Sequence, residues 1–245
     1  MDKIPPARAL APLGGSSTDP AKALLKGAIS AIPLVGGVLS EIVGQIIPDQ
    51  RLDRLERYVI QLAEEMQELG ADEHATERMK APENVDLFED GAFASARALT
   101  DGRLEHIARL VAEGISGDDQ ARLEAKRLLA LLTQIDDGQL IILASYLRKN
   151  QVNHAFLTRH ANILPKGGAR VKISGADRDA ELLYRLGQES LLRLGLLEET
   201  FQRPARGEAP ELDEQTGRMK VQGRRLSQLG RLLLRRLKLA EEGEA

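Results

Sequence analysis

The chain has no cysteine and no tryptophan, and aromatic residues make up only 3% of its 245 residues. Without thiols, disulfides and thiolate metal sites are excluded, and a reducing compartment fits. Runs of β-branched residues are scarce as well, while leucine and alanine dominate; that composition predicts an all-α chain. Charge of one sign is lacking overall, since 34 basic residues nearly balance 37 acidic ones. The apolar runs LLALLTQI and LIILAS are core segments too short to span a membrane.

Reaction chemistry is equally thin. His74, His106, His154 and His160 show no i,i+4 pairing, no His-Glu-x-x-His motif and no cysteine partner, so no metal ligand is assigned. No serine sits in a Gly-x-Ser-x-Gly turn. The carboxylate pairs Asp118-Asp119 and Asp136-Asp137 stand where helix caps belong. Gly167-Gly168 lacks the spacing and the Lys-Ser/Thr ending of a phosphate loop. The expectation is a protein that is not an enzyme, with no catalytic residue, no metal and no cofactor.

What is present is a stretch from Ala21 to Pro48 with no charge between Gly27 and Ser40. Leu24, Ala28, Ile32, Val35, Leu39, Ile42 and Ile46 recur at helical spacing, and Pro33 and Gly36-Gly37 interrupt the helix. Two short apolar helices bent into a hairpin follow. Ten Ile, Leu and Val residues favour bilayer insertion by roughly 5 kcal/mol, and Glu41 alone opposes it by about 3 kcal/mol. With the glycines, serines, Gln45 and Pro33 the balance is near zero. A reversible or interfacial insertion, flanked by Lys22 and Lys26, fits better than a permanent span. A buried hairpin inside a helical bundle fits the same pattern. The residues of this candidate docking element are Ile29, Ile32, Pro33, Val35, Gly36, Gly37, Leu39, Glu41 and Ile42.

The rest of the chain divides by texture. Residues 1–20, rich in Pro, Gly and Ser, read as a disordered leader with no signal peptide. Residues 49–150 read as a helical bundle. Its first helix carries Leu52, Leu55, Val59, Leu62, Met66 and Leu69 on one narrow seam, for packing on its own chain or, less favoured, for self-association through residues 52–69. From Asp49 to Asp90 there are thirteen acidic and five basic residues, a balance of −8. Further helices are predicted over 83–99, 103–115, 120–133 and 139–149. Residues 151–176, with Pro165 and three glycines among basic residues, read as a linker and domain boundary.

Residues 177–245 read as a helix, Leu-Gly-Leu-Leu, two strands and a closing helix. That order resembles a winged helix, and Leu226, Ser227, Leu229 and Gly230 resemble the leucine-threonine-x-x-glycine helix start of regulators built this way. DNA reading is disfavoured. Arg178, Arg185, Gln188 and Arg193 are opposed by Asp177, Asp179, Glu181 and Glu189, and the wing carries Glu198, Glu199, Glu208, Glu211, Asp213 and Glu214. The closing segment, Thr216 to Ala240, holds eight basic residues and no acidic one. Its basic patch, Arg224, Arg231, Arg235, Arg236 and Lys238, offers contacts to anionic lipid, to nucleic acid or to the acidic segment at 49–90.

Ile32-Pro-Leu-Val-Gly-Gly37, Ile46-Ile-Pro48, Leu194 to Leu197 and Leu229-Gly-Arg231 together resemble bacterial Abi-alpha-type helical proteins. That family is linked by name to abortive infection and has no established chemistry. The resemblance implies a bacterial defence role. The expected whole is a mainly all-α helical bundle with an apolar N-terminal helical hairpin and a C-terminal winged-helix-like domain. Its expected function is a non-enzymatic defence effector, cytoplasmic and peripheral to the inner membrane, that docks on or perturbs that membrane. The alternative is a winged-helix transcription regulator or a protein-interaction adaptor.

Overall fold

A computed structural model describes residues 52–70, 75–164, 175–201, 212, 217 and 219–241. The leader at 1–20 and the hairpin at 21–48, with every docking residue named on it, lie outside the described residues. Among the described residues the fold is mainly helical, with ten helices and one two-stranded sheet, as the composition implies. The chain forms two compact units, Met1–Ala108 and Arg109–Ala245.

In the first unit, α1 (Leu52–Glu68) and α2 (Ala75–Lys80) both pack on α3 (Pro82–Ala96). The middle of the expected seam of α1 is buried, while Leu69 at its end, past the last turn of the helix, is 48% exposed. Leu55, Val59, Leu62 and Met66 are fully buried, and Tyr58 and Ala63 join them. Tyr58 stacks on Phe88 of α3 at 5.7 Å between ring centroids and donates its hydroxyl to the Phe88 carbonyl at 3.3 Å. Burial pushes the Tyr58 phenol well above its ordinary range, with Asp90 adding to the shift. Pro82 opens α3, where a missing backbone N–H costs nothing. Arg54 closes the helix by donating to the Ala96 carbonyl at 3.2 Å. Arg57 reaches Asp101 at 2.6 Å, an exposed pair that contributes little to stability.

The division between the units falls inside α4 (Asp101–Ser116), and not at residues 151–176 as the Pro- and Gly-rich texture suggested. Within that expected linker, residues 154–159 form a short helix. The second unit holds α5 (Asp119–Gln134), α6 (Asp137–Ser145), α7 (Arg148–Gln151), α8 (His154–Arg159), α9 (Gly175–Arg193), β1 (Leu197–Phe201), β2 (Val221–Leu226) and α10 (Gln228–Arg236). Caps set these boundaries. Asp118 accepts the Ala121 N–H at 2.9 Å. Asp136 and Gln139 form a reciprocal capping box at 2.7 and 2.9 Å, and Asn153 accepts the Phe156 N–H at 3.0 Å. Each such cap contributes about 1 kcal/mol.

The single helix expected over 139–149 breaks after Ser145, because Leu147 turns extended before α7 begins. Buried Asn150 satisfies the exposed end by donating to the Ala144 carbonyl at 2.9 Å. α6 packs against α9, and buried Leu128, Leu129, Leu132, Leu140, Ile142 and Leu143 belong to the core. No single described helix is long and apolar enough to cross a membrane. α5 and α6 pass that test only as a pair bent by 108°, and five of their leucines, Leu128, Leu129, Leu132, Leu140 and Leu143, are buried in this unit.

Candidate functional site

The end of the second unit is built on one helix stop and one helix start. α9 ends in a Schellman turn, with the Leu196 N–H on the Leu191 carbonyl at 2.9 Å and the Gly195 N–H on the Leu192 carbonyl at 3.0 Å. Gly195 takes the left-handed conformation this turn requires, at φ 69. Leu196 and Leu197 then turn inward and are buried. β1 pairs antiparallel with β2, from Leu197 opposite Leu226 to Phe201 opposite Val221. Ser227 starts α10. Its Oγ accepts the Gly230 N–H at 2.9 Å, and its N–H donates to the Leu196 carbonyl at 3.1 Å. Gly230 lies against that same carbonyl, closer than a side chain permits. The residues singled out in the sequence as a helix start, Leu226, Ser227 and Gly230, are thus the joint between ribbon and helix.

A polar cluster fixes the ribbon on α9. Gln188 donates to the hydroxyls of Tyr146 at 2.6 Å and Tyr184 at 3.1 Å, and its carbonyl oxygen accepts from Arg224 at 2.8 Å. The other guanidinium nitrogen of Arg224 bonds Glu189. The Tyr184 phenol is pushed up to about 12, first by burial and then by Tyr146, with Glu181 adding to the shift and Arg224 opposing it. All polar atoms of the Gln188 amide group are engaged, so this residue is not free to read a base edge. Glu198 pairs with Arg225 across the ribbon at 2.6 Å, opposite charges at facing positions.

The residues of the expected basic patch stand in different settings. Arg224 lies on β2 in the cluster just described. Arg236 on α10 donates to Glu124 at 2.7 Å and lies 3.6 Å from Glu113. Its acidic partners therefore come from α5 and α4, whereas the sequence pointed to residues 49–90. Arg231 is half-buried and Arg235 exposed. Lys238 falls beyond α10, at φ 53, in a second Schellman turn formed by Leu239 N–H to Leu234 O and Lys238 N–H to Arg235 O. Buried Arg109 donates to the Leu237 carbonyl there at 3.2 Å, setting a cation at the negative end of the helix.

The feature the sequence reading missed is the outward face of α9. Leu182, Leu183 and Leu186 are 67%, 66% and 59% exposed, while Gly187 and Leu191 on the same helix are buried. Three leucines at helical spacing suggest core. The available signal was that Asp179 and Arg193 continue their stripe at both ends, whereas the buried stripe runs through Gly187 and Leu191. The ribbon adds a second apolar surface: Phe201 and Val221 face each other, Leu212 bridges to Met219, and all four are exposed. Among the described residues no group of three or more His, Asp or Glu side chains is placed to hold a metal ion. No family model matches this chain, and neither the curated proteins nor the solved structures give a match.

Proposed function

We propose that this chain is a non-enzymatic interaction protein whose winged-helix-like C-terminal end contacts protein instead of reading DNA. The observation that carries this reading is the exposed face of α9, the helix that a winged helix would present to a groove. It offers Leu182, Leu183 and Leu186 where base readout requires Arg, Lys, Asn or Gln. Of the polar groups on that helix, Gln188 is held by two tyrosines and Arg224, and Arg185 pairs with Glu181 at 3.2 Å. The test is fluorescence anisotropy of the full chain with duplexes of varied sequence across a salt series. The expected result is binding no tighter than about micromolar at physiological salt, lost equally for every sequence. Tight, sequence-selective binding would instead make the protein a regulator.

The uncharged run from Gly27 to Ser40 supports a second role, docking of the defence effector on the inner membrane through Ala21–Pro48. The purified chain is expected to float with anionic liposomes. Glu41→Leu is expected to favour insertion by about 3 kcal/mol, since it removes the largest penalty, and Val35→Asp to oppose it. A Val35→Asp protein that fails to fold, with Glu41→Leu leakage at the wild-type level, identifies the stretch as buried core and ends the membrane reading.

A further inference from the structure

We infer that the outward face of α9 is self-complementary and joins two copies of this chain about a two-fold axis at Leu186. The inference rests on the protein-contact reading above and names the partner of that helix. Asp179, Leu182, Leu186 and Arg193 follow one another at spacings of three, four and seven residues, so they form a single stripe along the helix, widened by Leu183. All five side chains are exposed. The stripe reads acidic, apolar, basic from its amino to its carboxyl end. An antiparallel copy reads the reverse order, so each acidic end meets a basic end.

The register follows from the sequence numbers. Asp179 and Arg193 both stand seven residues from Leu186, about 10 Å along the axis at 1.5 Å per residue. A two-fold axis through Leu186 therefore sets each Asp179 beside Arg193 of the second copy and brings the two Leu186 side chains together in the middle, with Leu182 and Leu183 set against Ser190 and Glu189 of the second copy. One patch used twice in this way is how a symmetric dimer closes without further growth.

Most neighbouring charges are already engaged: Arg185 and Glu181 pair within the helix and Glu189 is bonded to Arg224, while exposed Arg178 stands beside Asp179. Neither Asp179 nor Arg193 takes an ion pair among the described residues, so both are available at the ends of the stripe. One helix face buries less than the roughly 800 Å² per partner of a standard interface, so the dimer is expected to be weak, with Kd on the order of tens of micromolar.

Sedimentation of the full chain from a few micromolar to about 200 µM, spanning the range expected for so small an interface, tests the inference. The expected result is a concentration-dependent dimer. Leu186→Glu, which sets two like charges against each other on the axis, is expected to weaken it more than tenfold; this residue is exposed, and thermal melting checks that the variant folds. Asp179→Arg is expected to weaken the dimer by roughly three- to tenfold, as exposed ion pairs do. The double variant Asp179→Arg/Arg193→Asp restores the pairs with reversed polarity and is expected to recover the wild-type dimer. A monomer at every concentration, a dimer indifferent to all three variants, or a double variant no better than Asp179→Arg overturns the inference. Those outcomes leave the protein-contact reading standing, which falls only to sequence-selective duplex binding in the anisotropy series.

Discussion

Gly230→Ala is expected to lower the stability of the second unit by about 3 kcal/mol, because the added methyl lands on a backbone carbonyl that has no room to move. A Cβ at Gly230 falls on the Leu196 oxygen, well inside van der Waals contact. That oxygen is held from the other side by the Ser227 N–H at 3.1 Å and the Ser227 hydroxyl at 3.1 Å. Relief would require α10 to leave the ribbon or the Gly195–Leu197 turn to reopen, and Leu196, Leu197 and Leu226 are packed beneath it. In a unit of this size the loss corresponds to roughly 10 °C in Tm. Gly187→Ala supplies the contrast. Its Cβ clashes with the Cδ1 end of Ile142, at 2.7 Å, and otherwise makes an ordinary contact with Gln139 Cγ at 3.7 Å, so a rotamer change at Ile142 relieves most of the strain. Thermal melts of the two variants side by side decide the matter: a Gly230→Ala protein as stable as wild type means that the joint is not rigid.

Phe88→Ala is expected to cost about 4 kcal/mol in the first unit, from lost transfer free energy together with the cavity left behind. The ring is fully buried, lies against Tyr58, and stands on the helix that both α1 and α2 pack upon. Tyr58 adds to the loss, since it forfeits its ring neighbour although its hydroxyl keeps the backbone carbonyl of residue 88 as partner. On the same helix Phe93 is 54% exposed, and Phe93→Ala is expected to change stability by about 0.5 kcal/mol or less. Urea titration of the full chain with both variants measures the difference. A Phe88→Ala midpoint near that of Phe93→Ala would show that this cluster does not hold the unit together.

Much of the helix order is legible in the sequence, and the reason is local. A helix begins where a short polar side chain meets orphan N–H groups, so Asp118, Asp136 and Ser227 mark their starts in the sequence alone. A helix ends where the backbone must turn left-handed, and Gly195 marks that stop. The break after Ser145 was not legible. Gln139 to Lys149 holds no glycine or proline, and the break comes with extended Leu147 and the bond from Asn150 back to the Ala144 carbonyl, which the local sequence does not announce. The second Schellman turn was hidden for the opposite reason, since Lys238 adopts a conformation normally left to glycine.

The sequence by itself determined the all-α class, most helix boundaries and the seam of α1, because capping and 3.6-residue periodicity act between residues close in the chain. It also determined the absence of thiol chemistry, which depends on composition alone. Only the tertiary structure decided which leucines face water. Leu182 and Leu191 are the same residue on the same helix, and packing against α6 and the ribbon leaves the first exposed and buries the second. Only the tertiary structure assigned the partners of Arg224 and Arg236, which lie 35 or more residues away in the chain. A charge attracts any opposite charge within reach, and reach between distant segments is fixed by packing, not by the order of residues.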